Sequence, residues 1–205
     1  MNGRAVTIRY TAPMAISTIE DARRLMHEWT PSQALRVHME SVSACVGSYA
    51  RLLDPANEER WRIAGLLHDF DYERHPTLDE HPVVGVTHLR GLGVDDEICR
   101  AILAHAPRTG TPRDTPLAVT LFACDELSGF IVACAKVRPD GIASLAASSV
   151  RKKLKDKAFA AAVSRDDIAT GARELAALMN KTASPEFESE HIDRCIEAIR
   201  SAGAA

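Results

Sequence analysis

Aromatic residues make up only 5% of this 205-residue chain, and no apolar run continues unbroken for the roughly 20 residues that crossing a bilayer requires. The first scarcity argues against a β-sandwich, whose strands lean on aromatic and β-branched side chains. The second leaves no transmembrane helix to read from hydropathy. The opening segment, Met1 to Pro13, carries Arg4 and Arg9 but neither a continuous apolar stretch nor a small-residue cleavage site, so it does not read as a secretory signal. An excess of one charge is missing too: the net charge of -3 is too small to announce a nucleic-acid or membrane partner. Cys45, Cys99, Cys124, Cys134 and Cys195 are scattered with no C-x-x-C pair. That spacing argues against a zinc knuckle or disulfide framework and suits buried thiols in a reducing cytoplasm. Internal repeats and low-complexity segments are absent.

What is present is 46% hydrophobic and 26% charged residues, rich in Ala, Leu and Ile, which points to a mostly α-helical fold. Ser17 or Thr18, followed by Glu20 and Asp21, starts a helix expected to reach Trp29, and Ser32 caps a second that closes at Asp54-Pro55. A third runs from about Ala56 to His68. Asp79 and Glu80 open a helix through His81 to Leu92, and Asp95 to Glu97 start one that reaches His105. The apolar run Leu117 to Val137, interrupted by Asp125, Glu126 and Lys136, reads as a buried central helix. Further helices are expected around Ile142–Leu154, Lys157–Val163, Arg165–Asn180 and Pro185–Ala202.

The chemistry concentrates in His38, the pair His68-Asp69 and Asp125, an H…HD…D order on apolar helical stretches. An unpartnered polar side chain there costs a few kcal/mol, roughly, and a bound divalent metal is the simplest partner. His38 shares the inward face of its helix with Leu35, Val42, Cys45, Val46 and Tyr49. His81 in His81-Pro82-Val83-Val84-Gly85 and His105 in Ala101-Ile102-Leu103-Ala104-His105 add two more imidazoles. Taken singly, each residue has a plain structural reading: a core histidine on a carbonyl, or Asp125 paired with Lys136 or Arg138. The ordered set over separate helices favours a metal, and nitrogen and oxygen donors without thiolates suit iron or manganese, with magnesium, cobalt, nickel or zinc as other candidates.

With these residues the chain resembles the HD-domain metal-dependent phosphohydrolases, and the order also resembles HD-GYP phosphodiesterases and HD-fold diadenosine tetraphosphate hydrolases. Ala106-Pro107-Arg108-Thr109-Gly110 follows His105 in place of a G-Y-P signature, which argues against cyclic-di-GMP hydrolysis. A closer resemblance, over about Trp29 to Ile199, is to predicted bacterial HD-superfamily hydrolases of the HDIG group. It rests on Gly65-Leu66-Leu67-His68-Asp69-Phe70-Asp71-Tyr72-Glu73, on Leu121 to Phe130 with Cys124-Asp125-Glu126, on Val137-Arg138-Pro139, and on Ser149 to Phe159. The resemblance implies an all-α HD-domain bundle: an N-terminal extension over 1–16, a metal-binding domain over 17–140, and C-terminal helices over 141–205 packed on the same domain.

The implied site is mono- or binuclear. His38, His68, Asp69 and Asp125 hold one metal, and Asp69 bridges to a second held by His81 and His105. Two such metals lower the pKa of a bridging water for attack on phosphorus, with His68 and Asp69 at the centre and Asp71, Glu73 or Glu126 handling a proton for the leaving group. Metal affinity is expected to fall as pH drops through the histidine range. A small phosphorylated substrate calls for cationic clamps, and the candidates are Arg74, Arg108, Arg138 and Lys153 within the run Arg151, Lys152, Lys153, Lys155, Lys157. A solvated helix face explains that run equally, and with only Phe159 nearby nucleic acid is not an expected partner. Two other readings stay open: an HD-fold di-iron oxygenase built on the same six ligands, and a non-enzymatic nucleotide-sensing module. The expected setting is cytoplasmic, and the apolar C-terminal helices are compatible with a homodimer.

Overall fold

The computed structural model describes residues 16–205, so the expected N-terminal extension lies, apart from Ile16, outside the described residues. Nine α-helices follow one another, and no strand occurs among the described residues: α1 (Ile19–Trp29), α2 (Gln33–Leu53), α3 (Glu58–Leu67), α4 (Val83–Gly91), α5 (Asp96–His105), α6 (Pro116–Lys136), α7 (Ala147–Leu154), α8 (Arg165–Leu178) and α9 (Pro185–Ala202). Single 3-10 turns at Pro55–Asn57 and Pro107–Thr109 precede α3 and follow α5.

Most helix starts are written locally. Thr18 and Asp21 form a capping box, the Thr18 hydroxyl accepting the Asp21 N–H and the Asp21 carboxylate accepting the Thr18 N–H at 3.0 Å. Ser32, Thr115, Ser164 and Ser184 each accept the amide three residues on and so cap α2, α6, α8 and α9.

The two 21-residue helices, α2 and α6, make the central pair. Helices α3, α6 and α9 pack on α2, while α5 and α8 pack on α6. Met39, Val42 and Val46 of α2 meet a core that includes Leu121, Leu127 and Phe130 of α6, all fully buried. Each such side chain contributes about 1.5–3 kcal/mol on leaving water. Among the described residues α6 alone is long and apolar enough to cross a membrane, but 78% of its most apolar window is buried inside the protein. The five cysteines are buried and unpaired by disulfides, as expected.

Two sequence expectations need correction. His81 does not lie on a helix: the turn before α4 holds it, and α4 starts only at Val83. Proline clashes with an α-conformation in the residue before it, so Pro82 ends the chance of a helix passing through His81. The segment Lys157–Val163 is a run of turns. Asp156 accepts the amides of Ala158 and Phe159, Ala160 adopts a positive φ of 44°, and the Arg165 guanidinium gathers the carbonyls of Asp156, Phe159, Ala160 and Val163. Those carbonyls are satisfied without a helical ladder.

Candidate metal centre

The cluster forms where the N-terminal half of α2, the end of α3, the turn before α4, the end of α5 and the middle of α6 meet. His38 comes from α2, and His68 is the residue at which α3 ends. Gly65 lets these two helices close on each other: a Cβ there would sit 2.8 Å from the Ser43 Cα. The imidazoles thus meet with their Nε2 atoms 3.2 Å apart. From α6, Asp125 Oδ1 lies 3.1 Å from His38 Nε2 and 3.3 Å from His68 Nε2.

Asp69 divides its carboxylate. Its Oδ2 lies 3.4 Å from His68 Nε2 and 3.7 Å from His38 Nε2, while its Oδ1 lies 3.2 Å from His81 Nε2 and 3.4 Å from His105 Nε2. Two groups able to ligate a metal ion result: His38, His68 and Asp125, and Asp69, His81 and His105. All four imidazoles offer the same nitrogen to one space.

That choice of nitrogen is enforced from behind. The Nδ1 of His68 sits 2.9 Å from the Gly65 carbonyl, and the Nδ1 of His105 contacts the Ile102 carbonyl. A carbonyl only accepts, so each Nδ1 donates its proton and leaves the Nε2 lone pair toward the cluster. For His81 the partner is Asp71, whose Oδ1 lies 2.7 Å from Nδ1 while its Oδ2 accepts the Gly85 amide at 2.8 Å. Only glycine fits at 85, because a Cβ would stand 2.5 Å from Asp71 Cγ.

Electrostatics follow from the same crowding. Burial opposes charge on His68, yet the Asp69 and Asp125 carboxylates overcome it and raise its pKa well above the usual histidine value. Burial likewise opposes charge on Asp69, but His68, His105 and His81 hold its carboxyl well below the ordinary range. The two carboxylates and the converging Nε2 atoms thus demand positive charge, from protons or from a cation. Four imidazole nitrogens and two carboxylates, with no thiolate, fit a borderline divalent ion. His68 is closed off from solvent, whereas the side chains of His38, Asp69 and Asp125 keep 20%, 18% and 17% of their surface exposed, so the cluster opens on that side.

The model of the HD domain matches residues 36–129, a span that holds all six of these residues and stops inside α6. Residues 36–129 are an HD domain. Neither the curated proteins nor the solved structures give a match to the chain.

The other residues expected around this HD site fall in varied places. Asp71, expected to handle a proton for the leaving group, is fully buried with both oxygens engaged, which ties it to His81 and Gly85. Glu126 is half-buried beside Asp125 and accepts the Ser164 amide at 3.1 Å; burial and the Asp125 charge push its pKa up to about 7. Glu73 accepts the Ser32 amide at 3.0 Å. Arg74 lies over the Trp29 ring and donates to the Glu28 carbonyl. Arg108 reaches the cluster's edge but spends its donors on the carbonyls of Leu78 and His81. Arg138 bonds Ser144 and faces Asp140, about 20 Å along α6 from Asp125 by helical rise. Lys153 lies over Phe159 and near Asp156. The structure brings none of these four cations into a contact with the six clustered residues' side chains. Sequence reasoning missed Tyr72, whose exposed ring stands edge-on to His81 at 5.2 Å. Its place directly after Asp71 was the available signal.

Proposed function

We propose that the chain is a metal-dependent phosphohydrolase acting on a small phosphorylated substrate through two divalent cations, iron or manganese. The divided carboxylate of Asp69, with one oxygen in each histidine group, carries this reading, because a bridging carboxylate is what a binuclear site needs. Membership of residues 36–129 in the HD domain supports it, since that family is commonly hydrolytic. His38, His68, Asp125 and Asp69 Oδ2 would hold one cation, and Asp69 Oδ1, His81 and His105 the other. Bound cations would supply Lewis acidity toward a phosphoryl group and make water acidic enough to attack it near neutral pH.

The chain's own groups do the rest. The carbonyls of Gly65 and Ile102 and the Asp71 carboxylate fix the tautomers of His68, His105 and His81, so these three rings are oriented in advance. Glu126, next to Asp125 on α6 and with its pKa pushed up to about 7 by burial and that charge, is the group of this chain we assign to protonating the leaving oxygen. Glu126→Gln is expected to lower turnover about 100-fold or more without changing metal content.

The test is a screen of anaerobically metal-loaded protein against nucleoside mono-, di- and triphosphates and simple phosphomonoesters and diesters, reading phosphate release. Metal-dependent release that Asp69→Ala abolishes is the expected result. Oxygen uptake with an organic substrate, beside a silent phosphoester panel, would replace the hydrolase by a di-iron oxygenase. Full metal loading with neither activity would leave a binding module.

A further inference from the structure

A groove of ≈ 760 Å³ opens on another part of the molecule, between the C-terminal half of α2, the start of α3 and the face of α9. It begins at Ala44, about 9 Å along α2 from His38 by helical rise. Its volume falls within the range of roughly 300–1,000 Å³ typical of small-molecule sites. Tyr49 and His191 lie buried under it and are spent on each other: the Tyr49 hydroxyl lies 2.7 Å from His191 Nδ1, and His191 Nε2 lies 3.1 Å from the Ala123 carbonyl.

The charges around this groove are unevenly matched. Glu190 pairs with Lys181 at 2.6 Å, Asp193 accepts the Ala147 amide at 2.8 Å, and Glu197 pairs with Arg200 at 2.5 Å. Arg51 pairs with Glu58 at 2.5 Å. Every acid lining the groove therefore has a partner in the chain. Arg62 and Arg194 do not: both line the groove half-buried, and neither guanidinium has a carboxylate or a hydrogen-bond acceptor among the described residues. The Arg194 guanidinium lies over the Tyr49 ring, 5.3 Å from its centroid.

Arg62 is also seated in a way that costs the chain something. Its stem lies across Gly47 of α2 so closely that a Cβ there would stand 2.7 Å from Cγ and 2.9 Å from Cδ. Glycine inside a helix is worth about 1 kcal/mol less than alanine, and the vacated space is filled by the arginine stem. A long side chain bedded in this way has lost freedom before any ligand arrives, which favours binding.

We infer that this groove binds a phosphate-bearing anion of nucleotide size, its phosphate oxygens held by Arg62 and Arg194. Planar guanidinium forks match phosphate oxygens two at a time, and a pair of them calls for a ligand with at least two charged groups. The site is separate from the metal cluster and does not depend on the reaction proposed there.

The experiment is calorimetric titration of the full chain carrying Asp69→Ala, in chelator, so that the metal cluster offers no competing phosphate site. The probes are inorganic pyrophosphate, ATP and citrate. Pyrophosphate or ATP should bind, and Arg62→Gln and Arg194→Gln should each weaken binding about tenfold or more. Gly47→Ala should weaken it as well, because the Arg62 stem must shift to admit the Cβ, while circular dichroism keeps the wild-type helical amplitude. No binding of either phosphate at millimolar concentration overturns the proposal, as does binding of citrate alone or an affinity indifferent to both arginines.

Discussion

His68, His81 and His105 each spend Nδ1 on a neighbour in the chain and turn Nε2 toward a shared space, whereas His191, in the core between α2, α6 and α9, spends both nitrogens on Tyr49 and Ala123. At His81 the first arrangement raises the affinity of the ring for positive charge: Asp69 and Asp71 outweigh its burial and bring its pKa up to about 9. The second lowers it: burial brings His191 down to about 4. Both kinds of ring are buried, so burial alone does not separate a ligand from a packing histidine. What separates them is whether carboxylates converge on the nitrogen left over. Two carboxylates converge on four rings at the candidate metal centre, and none does so at His191.

The largest effect should come from removing the carboxylate that joins the two histidine groups. Asp69→Ala is expected to lose both cations and all measurable turnover while circular dichroism keeps its helical amplitude, since Asp69 lies beyond the last residue of α3. Next, breaking the other kind of histidine should damage stability and leave metal content alone. His191→Ala strands the Tyr49 hydroxyl and the Ala123 carbonyl in the core, at a cost of about 3 kcal/mol in urea unfolding.

The same residue gives a pH signature. His191 stays neutral in the fold down to about pH 4, while in the unfolded chain it takes a proton at the ordinary histidine value of 6.5. Its contribution is thus complete above pH 6.5 and is lost as pH falls toward 4, about 3 kcal/mol in all. Unfolding of metal-free protein across that window should show this loss in the wild type, and His191→Gln should lack that portion. A smaller effect falls on the support behind a ligand: Asp71→Asn should weaken metal affinity about 10–100-fold with little change in fold, read by competition with a chelator. Smallest of all, Thr18→Ala removes the α1 cap and should cost about 1 kcal/mol of stability with metal content unchanged.

The comparison also shows how far the sequence reaches. Helical spacing placed His38 on the inward face of α2 and Asp125 mid-way along the buried α6, and local cap residues marked most helix starts, because those signals lie within a few residues of each other. Asp71 could not be read that way. Its partners are a ring ten residues on and the amide of Gly85, brought together by a turn whose shape only tertiary packing fixes. The turns over Lys157–Val163 escaped for a related reason: the composition is helical, and the competitor is one arginine that collects the carbonyls. His191 had no motif to announce it, and its role appears only once α2, α6 and α9 meet.

The central claim is that Asp69 joins two cation sites, and the most direct measurement is metal per chain by elemental analysis after anaerobic reconstitution with iron or manganese. Two ions per chain in the wild type, falling to one in His81→Ala and to none in Asp69→Ala, is the predicted result. A wild type that never exceeds one ion per chain, with His81→Ala unchanged from it, would contradict the binuclear account.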